Sequence, residues 1–250
     1  MPTTLTLGGA GFTNTAYNTT QSFTVTDNTV VRDTIVIAGV PDQATFYNGN
    51  NSAVLFTDPA ATANRVTLDL GTGNDTLTVN TAIVGNKALN ANAANQAKLL
   101  MGGGNDSLTI NSYVERYSLQ AGAGNDTVII NEATATPAID IRNSAINLGA
   151  GADYLQIDAD LLFVNITAGT TNSEGVDTIV IRDTTSAVTI AGFSISSDED
   201  ILILGGQQFS GADYSGGVGT FNSSAHLTGS NDAIDAVNAW LDNGNTLTLI

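Results

Sequence analysis

Four stretches of the sequence carry the residues best suited to chemistry. LGTGNDTLTV (70–79), MGGGNDSLTI (101–110), AGAGNDTVII (121–130) and LGAGADYLQI (148–157) align without gaps. Each reads apolar–Gly–x–Gly–x–Asp and then runs into strand formers. Two residues without Cβ let the chain turn sharply, often at positive φ. Backbone carbonyls in such a turn can point inward, and the aspartate adds a hard anionic oxygen. Turns stacked at the strand spacing of about 4.8 Å would enclose an oxygen-lined hole, and hard oxygen ligands in a flexible cage suit Ca²⁺. Without an ion a column of aspartates repels itself, so binding and folding are expected to be coupled. The metal-free alternative, in which each aspartate only caps its turn, stays open at this point.

The elements that must position these turns follow from periodicity. Three looser copies flank the four tight ones: VRDTIVI (31–37), EGVDTIVI (174–181) and SDEDILIL (197–204). The second and fourth residues after each Asp are aliphatic, as in Ile35/Ile37, Leu77/Val79, Leu108/Ile110, Val128/Ile130, Leu155/Ile157, Ile179/Ile181 and Leu202/Leu204. In the tight copies the residues before the turn alternate too: Leu68/Leu70, Leu99/Met101, Leu119/Ala121 and Ile146/Leu148. Period-two alternation on both sides of a glycine turn means two strands sharing one buried face. From Asp33 to Asp200 the repeated aspartates lie 42, 31, 20, 27, 24 and 23 residues apart. Two short strands and two turns fit in about 20 residues, so the longer intervals read as loop insertions. The segment ALNANAANQAK (88–98) is expected to form a short helix within one of them. Stacked coils of this kind make a parallel β-roll or β-solenoid. An antiparallel β-sandwich with Gly-rich hairpins is the competing architecture, but it does not require the same Asp in every turn.

These turns resemble the repeats-in-toxin (RTX) nonapeptide, Gly-Gly-x-Gly-x-Asp-x-aliphatic-x, of the secreted calcium β-roll family. The likeness covers 70–157 closely and 31–204 loosely. It departs at the family's first glycine, replaced by Leu70, Met101, Ala121 and Leu148, and the repeats are not in nine-residue tandem. The resemblance implies an all-β, right-handed parallel β-roll with calcium turns along one edge. The implied ligand turns are Gly71/Gly73/Asp75, Gly102/Gly104/Asp106, Gly122/Gly124/Asp126 and Gly149/Gly151/Asp153, holding several Ca²⁺ ions. Asp177 and Asp200 extend the column, in turns that lack the glycine pair. The resemblance also implies type I secretion from a Gram-negative bacterium through an uncleaved C-terminal signal, with the protein extracellular or on the cell surface.

Composition narrows the function classes. Of 250 residues only 12% are charged, against roughly 25% in an ordinary domain, and 24 acidic residues outweigh 7 basic ones, for a formal charge of −17. That argues against nucleic-acid binding, which needs clustered Lys and Arg, and against docking on an anionic membrane. No apolar run approaches a membrane span, so membrane insertion is not expected. There is no cysteine, which removes disulfides and thiolate sites. His226 is the only histidine, and no HExxH motif exists, so the zinc protease attached to some RTX rolls is missing and no enzyme activity is expected.

Three segments emerge: an N-terminal strand or cap (1–30), the roll (31–204), and a C-terminal cap carrying the secretion signal (205–250). In the last, SNDAIDAVNAWL (230–241) reads as a helix stopped at Gly244, and a strand follows. The outward strand face is Thr-rich early and apolar late, and Ile201 and Ile203 should be covered by the cap or another subunit. The matching strands TTLTL (3–7) and NTLTLI (245–250) suggest joining of subunits end to end. The function expected is a secreted, calcium-dependent structural protein that assembles with itself into a surface layer (S-layer) or extracellular matrix fibre. The alternative is a calcium-dependent adhesin or a carbohydrate- or ice-binding module, with a cell-surface polysaccharide as partner.

Overall fold

The alternation of aliphatic and polar residues produces the expected architecture. A computed structural model of the chain is a parallel β-solenoid with one short C-terminal helix. It describes residues 69–79, 98–131, 141–169, 175–182, 187–195, 199–229 and 231–250 in full, and elsewhere only the backbone of short strands. The strand after each aspartate joins one sheet. Thr76–Val79, Ser107–Ile110, Thr127–Asn131, Tyr154–Asp158, Thr178–Ile181 and Ile201–Leu204 lie side by side, parallel and in the register of the repeat. The strand before each turn joins the other sheet, where Ala97–Gly103, Tyr117–Ala123, Ile141–Ala150, Leu161–Thr167 and Thr189–Phe193 follow one another. Leu77, Leu108, Val128 and Leu155 from the first sheet and Leu99, Leu119, Ile146 and Ile166 from the second are buried in one core. Each such side chain contributes on the order of 1.5–3 kcal/mol by leaving water, so every coil is held by its neighbours' apolar faces.

Three sequence expectations need correction or limits. The long interval before Asp75 is not a loop insertion. Ala53–Phe56 pairs with Thr34–Ile37 on one side and Thr76–Val79 on the other, which adds a whole coil. In sequence Ser52 precedes that strand where the other copies have Asp, so the coil lacks the repeat's signature. The helix expected over 88–98 lies outside the described residues, except that Ala97 and Lys98 begin a strand. The C-terminal strand Thr246–Leu249 is not available for joining subunits, because it pairs with Thr189–Phe193 on one side and Gly219–Phe221 on the other. It takes the place where the last coil's return strand belongs.

Between the two sheets the chain turns a corner at a short strand, seen at Val114–Glu115, at Ile141 and Arg142, and at Leu161 and Leu162. The residue after each pair has a left-handed backbone: Arg116, Asn143, Phe163 and, one coil on, Ala187, with φ of 54°, 51°, 54° and 53°. Asn tolerates this conformation, whereas a bulky residue loses roughly 1–2 kcal/mol there. Phe163 is also 58% exposed, so it regains little by packing. Phe163→Asn should therefore stabilise the protein by about 1 kcal/mol, a rise in melting temperature of about 2–4 °C, measured by thermal unfolding.

At the C-terminal end the strands stop being parallel. Gln207–Phe209 folds back antiparallel on Ile201–Leu204. The expected helix spans Asp232–Asp242, with the Asn231 side chain accepting from the Ile234 N–H at 2.8 Å as its N-cap. Gly244, at φ 83°, follows where the stop was expected. Ile234, Val237, Trp240 and Leu241 are buried beneath the helix. His226 bonds Asp242 through Nε2 at 2.9 Å, pinning the helix end to the preceding loop. Ile201 and Ile203 are half-buried, and their neighbour Val180 is buried. Among the described residues no helix is long and apolar enough to cross a membrane.

Candidate functional site

The glycine turns stack into one edge of the solenoid. Gly102, Gly122 and Gly149 have φ of 100°, 116° and 102°, and Gly104, Gly124 and Gly151 have φ of 126°, 123° and 137°. A Cβ on Gly104 would overlap the Gly73 carbonyl oxygen, and one on Gly124 the Gly104 carbonyl oxygen. Glycine is thus needed twice over: for its conformation, and because the preceding coil's backbone occupies the space a side chain would take. Gly175 repeats this geometry at φ 121° against Gly151. The turn of Asp177 therefore keeps the second glycine of the pair, which the sequence shows in EGVD.

The stacked turns bring the aspartates into a single column. The Asp75 N–H donates to Asp106 Oδ1 at 2.7 Å, Asp106 N–H to Asp126 Oδ1 at 2.8 Å, and Asp126 N–H to Asp153 Oδ1 at 2.8 Å. The series continues from Asp153 to Asp177 at 2.9 Å and from Asp177 to Asp200 at 2.8 Å. Each carboxylate reaches back one coil and takes a backbone donor. At the end of the column, Asp200 Oδ2 takes the Ser194 N–H at 2.7 Å, so both of its oxygens are engaged within the protein. All six predicted aspartates are brought together, and all are buried.

Sequence reasoning missed a second ladder running the other way. Asn74 Oδ1 accepts from the Asn105 N–H at 2.8 Å, Asn105 Oδ1 from Asn125 N–H at 2.9 Å, and Asn125 Oδ1 from Ala152 N–H at 3.0 Å. The signal was present as Gly-Asn-Asp in three of the four tight copies. Together the ladders tie each turn to both neighbours: the asparagine reaches forward one coil and the aspartate back one.

In three of the turns one carboxylate atom is left over. Oδ2 of Asp106, Asp126 and Asp153 is buried and has no hydrogen-bond partner. A buried ionised oxygen without a partner is costly, so it must hold a proton or face a cation. Burial pushes the Asp126 carboxyl up to about 7 and that of Asp153 up to about 6, and raises that of Asp106, while the backbone N–H each accepts acts in the opposite direction. For Asp126 the charges of Asp153 and Asp106 add to the rise.

The sign for stability follows. An acid whose folded pKa is raised favours folding while protonated. That contribution is complete below the unfolded value near 3.9 and is lost as pH rises through about 6 to 7. The metal-free protein should therefore melt higher at pH 4.5 than at pH 8, by on the order of 10 °C, in thermal unfolding with a chelator present.

The donor set fits a hard cation in kind: anionic oxygens, buried and unpartnered, along an edge of stacked turns. It is sparse in carboxylates, since among the described residues no three acidic or histidine side chains converge on one point. Several turn carbonyls are already used between coils; Gly103 O accepts from Gly73 N–H at 2.7 Å, and Ala123 O from Gly104 N–H at 2.8 Å. An ion would therefore take about one carboxylate oxygen from each turn and complete its shell with carbonyls or water.

Two of the arginines gather at one corner of the solenoid. Arg116 contacts Glu115 at 3.5 Å, and the Arg142 guanidinium lies 5.7 Å from the ring centre of Tyr113, whose hydroxyl donates to Glu115 at 2.6 Å. The group is centred on the buried Glu115 at the corner. Comparison with protein-family models, curated proteins and solved structures finds no match to the chain.

Proposed function

We propose that the chain is a calcium-set structural solenoid of the RTX kind, secreted by a Gram-negative bacterium, which assembles with copies of itself into a surface layer or fibre. The observation that carries this reading is the row of buried, unpartnered Oδ2 atoms on Asp106, Asp126 and Asp153. They would be the ligands, with turn carbonyls to complete the shell; Asp75 and Asp177 lie in the same column of turns. When bound, the ions supply the positive charge that lets a column of carboxylates stay ionised at neutral pH. The protein's own part is to hold the turns at a fixed separation through the two side-chain ladders and to exclude water from the column. The RTX-like turn sequence and the acidic composition support the same reading. In a compartment poor in calcium the charged column disfavours folding, and the chain remains fit for export; outside the cell, calcium closes the solenoid.

The test is a comparison of purified protein at pH 8 in chelator and in millimolar calcium. Calcium should raise the melting temperature by several degrees, since a ligand at about 100 times its Kd adds about 2.7 kcal/mol, and negative-stain microscopy should then show ordered layers or fibres. Equal melting in both conditions would remove calcium from this reading. A calcium-stabilised monomer that retains polysaccharide would favour an adhesin over a structural subunit.

A further inference from the structure

The two signs of charge are distributed unequally along the chain. No Lys or Arg follows Arg182 in the sequence, so the cap holds acidic residues and a single histidine. Its helix Asp232–Asp242 buries Ile234, Val237, Trp240 and Leu241, and the opposite face exposes Asp232, Asp235, Ala239 and Asp242. Carboxylates in the first turn complement the helix dipole, but one in the last turn opposes it, so helix stability does not account for the whole stripe. The corner of the solenoid has the opposite character. Arg116 and Arg142 lie on adjacent coils there, with the Arg116 N–H donating to the Arg142 carbonyl at 3.0 Å. Arg116 Nη1 and Arg142 Nε have no hydrogen-bond partner. Phe163 stands one coil beyond Arg142, since Leu162 pairs with Arg142. It combines a left-handed backbone with 58% exposure, so packing within the chain does not offset its conformation. A residue that breaks a local rule with no gain in packing is expected where a protein meets something else.

We infer that the exposed face of the helix Asp232–Asp242 of one copy docks on the corner formed by Arg116, Arg142 and Phe163 of another. This rests on the self-assembly reading above. Charge and spacing both point to a second copy as the occupant. Arg116, Arg142 and Phe163 stand on consecutive coils, at steps of about 4.8 Å. On the helix, Asp235 and Ala239 lie about 4.5 and 10.5 Å beyond Asp232 at a rise of about 1.5 Å per residue. Two carboxylates thus come opposite two guanidiniums, and the small side chain of Ala239 leaves room for the Phe163 ring. Docking takes that ring out of water and gives the arginines acceptors; aromatic residues and arginine are the side chains enriched at such contacts. The two surfaces are different patches of the same chain, so the contact is heterologous. Unless the rotation closes a ring, copies add in an open-ended series, which is the growth a layer or fibre needs.

Sedimentation of the full chain in millimolar calcium tests this, with thermal melting as the control for folding. Phe163→Asn removes the ring and the backbone strain together. It should melt no lower than wild type and yet associate about tenfold more weakly or worse. Ala239→Lys puts a cation and a long side chain into the acidic stripe while keeping a good helix former, and should weaken association to a similar degree, as should Arg142→Gln. Mixed in equal amounts, Phe163→Asn and Ala239→Lys should form one-to-one dimers and nothing larger, because the first keeps a working helix face and the second a working corner. Raising sodium chloride from about 0.05 M to about 0.5 M should weaken wild-type association by about tenfold, since exposed charge pairs are screened. Single variants that assemble as wild type does, or a mixture that stays monomeric while wild type assembles, would overturn the inference and leave the self-assembly reading in place. A wild-type chain that stays monomeric in calcium would overturn both.

Discussion

Gly122→Ala is expected to lower the melting temperature by more than about 10 °C, while Gly103→Ala, in the preceding turn, is expected to change it by less than about 3 °C. The two differ in what a methyl group would meet. At Gly122 φ is 116°, and a Cβ would overlap the Gly102 carbonyl oxygen and lie 2.8 Å from its carbonyl carbon. Those atoms are backbone, locked by the ladder to the next coil, so neither can give way without separating the turns. The strain of a left-handed alanine adds on the order of 1 kcal/mol. A total loss above about 4 kcal/mol would place the variant among the rarer severe substitutions. At Gly103 nothing lies within 4 Å of the added carbon, and its φ is not left-handed. An alanine there even restricts the unfolded chain, a small gain. Urea unfolding of both variants measures the contrast. Equal, small effects would mean that the turns are not stacked as described.

The second large effect concerns Asp126→Asn. Asparagine keeps the Oδ1 acceptor for the Asp106 N–H and replaces the orphaned Oδ2 with a neutral amide. In wild type, burial and the neighbouring Asp153 and Asp106 push this carboxyl up to about 7. At pH 8 it is therefore ionised at a cost of a few kcal/mol, since every tenfold rise in proton affinity corresponds to about 1.4 kcal/mol. With calcium chelated at pH 8, Asp126→Asn should melt about 10 °C above wild type. At pH 4.5, where the wild-type carboxyl is protonated, the difference should nearly vanish. In calcium the order should reverse: wild type gains and the variant gains little, because the central oxygen of the column is gone. A variant less stable than wild type in chelator at pH 8 would show that the charge is not the burden assigned to it.

Much of this was legible in the sequence, and for identifiable reasons. The aspartate register and the aliphatic alternation around it depend on local chemistry repeated in every coil, so Asp75 to Asp200 fell into one column as read. What stayed hidden were features whose cause lies in the neighbouring coil. The coil at Ala53–Phe56 has no aspartate to announce it and was found only through its pairing. The left-handed corner at Arg116 and Phe163 carries no glycine, because the neighbouring coils and not the local residue type impose that conformation. The forward-reaching asparagines were visible as letters, but their direction, opposite to that of the aspartates, follows from stacking alone. The C-terminal strand was legible as part of a cap, but the partner that Thr246–Leu249 joins, Thr189–Phe193, was not, because it is more than fifty residues earlier in the chain and a hairpin and helix intervene.

Everything proposed for the column depends on Oδ2 of Asp106, Asp126 and Asp153 being ion ligands. Anomalous diffraction from crystals grown at pH 8 in calcium tests this without an intermediate step. Peaks are expected between adjacent turns, with Asp Oδ2 atoms within about 2.3–2.6 Å of each. A well-ordered column with no anomalous peak, its carboxyl oxygens contacting only protein or water, would contradict the assignment.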